Sequence, residues 1–164
     1  MTTKADFTDE EWARLERAPI VAGMAISLAD PGGPIEAFKE TSASLKTVLE
    51  TARTNAQSEL VASVAGTVAE KARQRQSPVG DFRPRGAQAR EQIVAELSAV
   101  NELVTRKATP EEAEDFREWL LTAARRAAEA AKEGGFLGFK AERVSEGEQR
   151  MLEQLREVLS PAAG

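Results

Sequence analysis

The amino-acid sequence predicts an all-α protein, a single-domain antiparallel bundle of six to seven helices. Alanine, leucine, glutamate and arginine, which favour helices most strongly, are the commonest residues of the 164-residue chain. Apolar residues recur at intervals of three and four, which is the helical period. No segment combines the two-residue period of a strand with a neighbouring turn signal. The length suits one domain with its own core.

Three capping boxes mark helix starts, at residues 8–11, 109–112 and 145–148. In each box a Ser or Thr side chain can accept from the amide three residues on, while a glutamate reaches back to the first amide. Phe7 and Trp12 flank the first box at the positions of a hydrophobic staple. These local signals predict where three of the helices begin.

The predicted helices lie near residues 9–17, 19–29, 35–53, 56–75, 87–107, 110–133 and 146–159, and the two longer loops are 77–86 and 134–144. Pro19 predicts a kink or a restart within the first helical stretch, because proline lacks the amide that continues the helix. The 12 residues from Ala18 to Ala29 carry no charge, and we expect this short helix at the centre of the bundle.

The two ends of the chain share an outline, which suggests a degenerate internal duplication. Each runs through a capping box, an apolar helix, a glycine pair, a Phe-Lys pair and an amphipathic helix. The alternative interpretation is chance, since capping boxes and glycine stops recur in unrelated helices.

Missing residue types exclude several kinds of chemistry. The chain has no cysteine and no histidine, so disulfides, thiolate metal sites and Ser-His or Cys-His nucleophiles are excluded. Glycine-rich phosphate-binding motifs are also missing from the sequence. We therefore expect a protein that is not an enzyme and holds no organic cofactor. The alternative is an enzyme that uses carboxylates and arginines, for which Glu111, Glu114 and Glu118 share one helix face.

The charge and the first residues bear on location and partners. The start of the chain lacks the apolar core of a signal peptide, and no stretch is apolar enough for a membrane span, so we expect a cytoplasmic protein. A net charge of −5 argues against nucleic acid as a partner.

Two segments are candidates for contact with a partner protein. Residues 71–90 hold six basic residues against Asp81 alone, a local net charge of +5. This segment either docks an acidic partner or is a solvated loop between helices. Residues 134–139 are apolar and rich in glycine, and they either contact a partner or cap the core. The candidate contact residues are Arg73, Arg75, Arg83, Arg85, Phe136, Leu137 and Phe139.

Carboxylates beside the two glycine turns are candidates for holding a hard divalent cation, Ca²⁺ or Mg²⁺. They are Asp30, Glu36, Glu40, Glu133, Glu142 and Glu146. The alternative interpretation is that they are solvated residues at helix ends, where acidic side chains near a helix N-terminus interact favourably with its dipole.

The apolar helix, the acidic-glycine turn Glu133-Gly134 and the helix start from Val144 to Glu148 resemble the TerB-like helical domains of tellurite-resistance proteins. The segment from Ala25 to Glu40 is similar in outline, and together the two cover about a third of the chain. The chain departs from the family pattern in having Glu-Gly for Asp-Gly and a longer loop after it. The resemblance implies an all-helical, stress-associated domain that binds a divalent cation.

From the residues themselves we expect a non-catalytic helical binding protein whose ligand is a partner protein or a second copy of the same chain. The alternative is the TerB-like cation-binding domain.

Overall fold

The computed structural model describes residues 2–29, 34–54, 58–133 and 146–161, and within these ranges the chain forms helices and turns without a strand. The α-helices of these ranges are α1 (Asp9–Ala29), α2 (Pro34–Arg53), α3 (Glu59–Arg73), α4 (Ala89–Lys107), α5 (Pro110–Glu133) and α6 (Glu146–Val158). Short 3-10 helices precede α1 and α4, at Lys4–Asp6 and Gly86–Gln88. The helices pack around one hydrophobic core, so the prediction of an all-α single domain is confirmed. None of the helices within the described ranges could cross a bilayer.

Two helices, α1 and α5, lie at the centre of the bundle, and each contacts all the other α-helices of the described ranges. The charge-free half of α1 is buried around most of its circumference, which explains why the sequence carries no charge there. On α5 the buried stripe is largely alanine, and α2 packs against it more extensively than any other helix does. Small side chains let the two backbones approach closely.

The predicted restart at Pro19 was wrong, because α1 continues as one helix from Asp9 to Ala29. The alternative, a kink in that helix, stays a prediction. Pro19 removes one amide donor, which leaves the carbonyl four residues earlier without its helical partner. Pro19 is buried, and the apolar residues that follow it pack against the core on several sides. Tertiary packing therefore offsets the local cost of the missing hydrogen bond.

Two of the predicted capping boxes are confirmed by their hydrogen bonds. The Thr8 amide donates to a Glu11 carboxylate oxygen at 2.8 Å, and the Glu11 amide donates to the Thr8 hydroxyl at 3.1 Å. Thr109 and Glu112 make the same pair of bonds at 3.1 and 3.2 Å. The first residue of the third box, Ser145, lies outside the described residues.

Helix α3 is shorter than the predicted 56–75, because it begins after Ser58 and ends at Arg73. Its last turn closes with Arg75 in the left-handed conformation, at a φ of 58°. The Arg75 amide donates to the Ala72 carbonyl and the Gln76 amide to the Lys71 carbonyl, the bonding pattern of a Schellman motif. Glycine usually occupies this position, and an arginine there costs about 1 kcal/mol in backbone strain.

Candidate functional site

An apolar groove lies between the C-terminal half of α1, the loop 77–86 and the start of α4. Its volume is about 440 Å³. Its lining residues are Met24, Ser27, Leu28, Val79, Phe82, Arg83, Pro84, Arg85, Ala89 and Ile93. Leu28 is 41% exposed, the one large hydrophobic side chain that is classed as exposed in the described part of the chain. We call this feature the basic-rimmed groove.

The wall of the groove that the loop provides is held in place by a chain of contacts from the core. Glu96 is buried on α4 and accepts from Arg17 at 2.8 and 2.9 Å. The Arg17 guanidinium carbon lies 5.3 Å from the centre of the Phe82 ring, a cation–π contact. Arg14 approaches the same Glu96 oxygen at 3.1 Å. The buried carboxylate therefore fixes the arginine on which the loop aromatic packs.

The loop reaches this position through a turn at Gly80, whose φ of +56° lies in the left-handed region that glycine adopts without strain. The Phe82 amide donates to the Val79 carbonyl at 3.1 Å. The Arg83 guanidinium donates to the carbonyls of Gly80 and Phe82 at 2.9 and 3.0 Å, so part of its role is to close the turn.

The six basic residues of segment 71–90 divide into two groups in the structure. Three have side-chain partners: Lys71 pairs with buried Glu16, Arg73 with Glu70, and Arg90 donates to Gln154. The other three, Arg75, Arg83 and Arg85, are exposed and have no carboxylate partner within the described ranges.

Arg83 and Arg85 line the groove itself, beside the N-terminus of α4, where Gln88 makes no side-chain capping bond. The first amide of α4, that of Ala89, already donates to the Gly86 carbonyl, so the positive potential comes from the two guanidinium groups. The mouth of the groove is therefore positive while its floor is apolar.

A second, polar pocket of about 300 Å³ lies between α2 and α5. It is lined by Thr47, Glu50, Thr51, Thr54, Glu118, Trp119, Thr122 and Arg126. Arg126 pairs with Glu50 across the two helices at 2.5 Å. Sequence reasoning missed this pocket. The available signal was the spacing of Thr47, Thr51 and Thr54, which places three hydroxyls on one face of a helix.

The predicted acid–base cluster on α5 is exposed, at Glu111, Glu114 and Glu118. The carboxyls with a perturbed pKa lie elsewhere. Hydrogen bonding to Lys107 and to the Thr8 amide lowers the pKa of Glu11. Burial raises the pKa of Glu112, but hydrogen bonds from Thr2 and Thr109 outweigh it and lower that pKa from 4.5 to about 2. Both carboxyls are held ionised, which suits a structural contact better than proton donation.

Of the predicted site residues, Arg83 and Arg85 lie together in the groove. Most of the others, or their side chains, lie outside the part of the chain that the structure describes. Phe136, Leu137, Phe139, Asp30 and Glu142 lie outside the described residues. Glu36, Glu40 and Glu133 fall on α2 and α5, but their side chains lie outside the described part. Glu146 is exposed at the start of α6. Among the residues that the structure describes, no three carboxylates are grouped so as to hold a metal ion.

Comparison of the chain with protein-family models, with curated proteins and with solved structures gave no match. The fold defines the chain as an all-α helical-bundle protein.

Proposed function

We propose that this chain is a non-catalytic helical binding protein that docks a segment of a partner protein in the basic-rimmed groove. The segment presents an apolar side chain to the groove and carboxylates to its rim. The observation that carries the proposal is the combination of exposed Leu28 with Arg83 and Arg85, which have no carboxylate partner within the described ranges.

Charge complementarity argues for this chemistry of the partner. An apolar floor removes the hydrophobic side of a ligand from water, and arginines at the rim form charge-assisted hydrogen bonds with carboxylates. Arginine is enriched at the centres of protein interfaces for the same reason. The strained backbone of Arg75 lies in the same basic segment, and strain of this kind concentrates at functional sites.

The absence of histidine and cysteine supports a non-catalytic role, because the usual neutral-pH base and the strongest nucleophile are missing from the chain. The lowered pKa values of Glu11 and Glu112 are also opposite to what a general acid requires.

The test uses a fluorescein-labelled helical peptide with leucines on one face and glutamates beside them. Fluorescence anisotropy should show saturable binding, and a peptide with lysines in place of the glutamates should bind at least about tenfold more weakly. Arg85→Glu and Leu28→Ser should each weaken binding by about tenfold. Both side chains are exposed, so neither change should unfold the protein.

The matched control is Arg125→Glu, an equal change of charge at an exposed residue of α5 outside the groove. Equal weakening by Arg125→Glu would mean general electrostatic attraction, and equal binding of the lysine peptide would remove the role of the arginines. Light scattering over a range of concentrations tests whether a second copy of the chain occupies the groove. A mass that rises with concentration in the wild type and stays constant in Arg85→Glu would make a second copy of the chain the occupant.

A further inference from the structure

The polar pocket between α2 and α5 shares no lining residue with the basic-rimmed groove, and its hydrogen bonds specify what kind of ligand it can take. The hydroxyl hydrogens of three of its threonines, two on α2 and one directly after it, are already used. Thr47 donates to the Ala43 carbonyl at 3.0 Å, Thr51 to the Thr47 carbonyl at 2.9 Å, and Thr54 to the Thr51 carbonyl at 3.2 Å.

Each hydroxyl has one hydrogen and two lone pairs. Thr51 uses its acceptor capacity for the Trp119 indole N–H at 3.0 Å. Thr47 and Thr54 accept no hydrogen bond from the described residues. Thr47 is also buried, so an unused lone pair there lies away from bulk water. Toward a ligand these two hydroxyls therefore act as acceptors.

The charged side chains of the pocket point to the same ligand. Its lining holds two carboxylates, Glu50 and Glu118, against the single guanidinium of Arg126. Glu50 pairs closely with Arg126, whereas Glu118 has only a 3.7 Å contact with Arg125. Glu118 therefore retains most of its capacity to accept, since an ionised carboxylate offers about four lone-pair positions.

A ligand for this pocket must supply hydrogen-bond donors and positive charge. A primary ammonium supplies three donors and one charge in a compact group. A divalent metal ion fits less well, because the lining holds only two carboxylates, one of them engaged by Arg126. The volume of about 300 Å³ is at the lower limit for a small-molecule site.

We propose that the pocket between α2 and α5 binds a small aliphatic ammonium compound, with Glu118 and the hydroxyls of Thr47 and Thr54 accepting from the ammonium group. This site is independent of the partner-binding function proposed above. A short diamine is the simplest molecule with this chemistry.

The test titrates 1,4-diaminobutane into the full chain and follows binding by calorimetry. Saturable binding is expected, with affinity reduced at least about tenfold by Glu118→Gln, since a charge-assisted hydrogen bond is lost. Thr47→Val should also weaken binding, whereas Glu102→Gln, at an exposed carboxylate of α4, should leave affinity unchanged.

Four outcomes would overturn the proposal. Absence of saturation up to about 10 mM would mean that no site of useful affinity exists. Equal weakening by Glu102→Gln would mean that the acidic surface attracts any cation. Competition by Mg²⁺ at concentrations equal to those of the diamine would show that the ammonium group is not what the pocket recognises. Equally tight binding of uncharged 1,4-butanediol would show the same.

Discussion

Glu112 is the residue whose replacement gives the sharpest test of how this fold is stabilised. It is buried at the start of α5, and its carboxylate accepts from the Thr2 amide at 3.0 Å and from the Thr109 amide at 3.1 Å. The Thr2 hydroxyl donates to it as well. Glu112→Gln keeps the shape of the side chain and removes the charge, so it separates the contribution of the ionised carboxylate from that of packing.

The magnitude follows from the pKa of Glu112, which hydrogen bonding holds at about 2 against burial and against an ordinary value of 4.5. That difference corresponds to about 3 kcal/mol of folding free energy. Because the pKa is depressed in the folded state, the stabilisation is complete above the unfolded pKa. It is lost as the pH falls through 4.5 toward 2.

The assay is urea-induced unfolding of the wild type and of Glu112→Gln near pH 7 and near pH 3. Near pH 7 the variant should be less stable by about 2–3 kcal/mol, because the Thr2 and Thr109 donors lose a charged acceptor. Near pH 3 the difference in unfolding free energy between the two proteins should be smaller by about 2 kcal/mol. At that pH the unfolded wild type binds a proton at Glu112, which lowers the unfolding free energy of the wild type but not that of the variant.

The control is Glu111→Gln, an identical chemical change at the exposed neighbouring residue. Its effect should stay within about 0.5 kcal/mol at both pH values. A wild-type advantage over Glu112→Gln that is the same near pH 7 and near pH 3 would refute the reasoning, because it would assign the effect to packing.

Four further changes test other parts of the structure. Glu96→Ala should lower the free energy of unfolding by about 3 kcal/mol in urea melts, because it leaves its arginine partners without their buried carboxylate. Thr51→Val should cost about 1–3 kcal/mol by leaving the buried Trp119 indole N–H unpaired. Ser44→Ala should instead stabilise by about 1 kcal/mol, because the buried Ser44 hydroxyl has no partner among the described residues. Arg75→Gly should raise the melting temperature by relieving about 1 kcal/mol of backbone strain, with weaker binding of the acidic peptide. Adding Ca²⁺, Mg²⁺ or Mn²⁺ after chelation tests the predicted cation site. A concentration-dependent rise in melting temperature supports it, and an unchanged midpoint with all three ions removes it.

The sequence was sufficient for the features that depend on near neighbours along the chain. Capping boxes join residues three apart, so the starts of α1 and α5 could be predicted to the residue. The lack of charge from Ala18 to Ala29 likewise predicted the central position of the second half of α1. Composition alone excluded histidine and cysteine chemistry.

At Pro19 the sequence predicted a kink or a restart, and the restart was wrong because packing of the apolar residues that follow keeps α1 continuous. The sequence also could not show which carboxylates become buried and which stay exposed. Glu96 and Glu112 are buried and hydrogen-bonded, while Glu91 and Glu111 on the same helices are exposed. Which acid becomes buried depends on the helix that packs over it, and that information lies far away in the chain.

The candidate sites also depend on residues that lie far apart in the chain. Basic residues were identified in segment 71–90 from charge alone, but the pairing of Lys71 with Glu16 was decided by packing and that of Arg73 with Glu70 by local geometry. The groove needs α1, the loop and α4 at once, and the hydrogen bond between Trp119 and Thr51 joins residues 68 positions apart. By itself the sequence determined the all-α fold, the starts of α1 and α5 and the absence of histidine and cysteine chemistry. Only the tertiary structure decided which polar groups meet, because burial and electrostatic pairing depend on distances in space that a linear pattern does not contain.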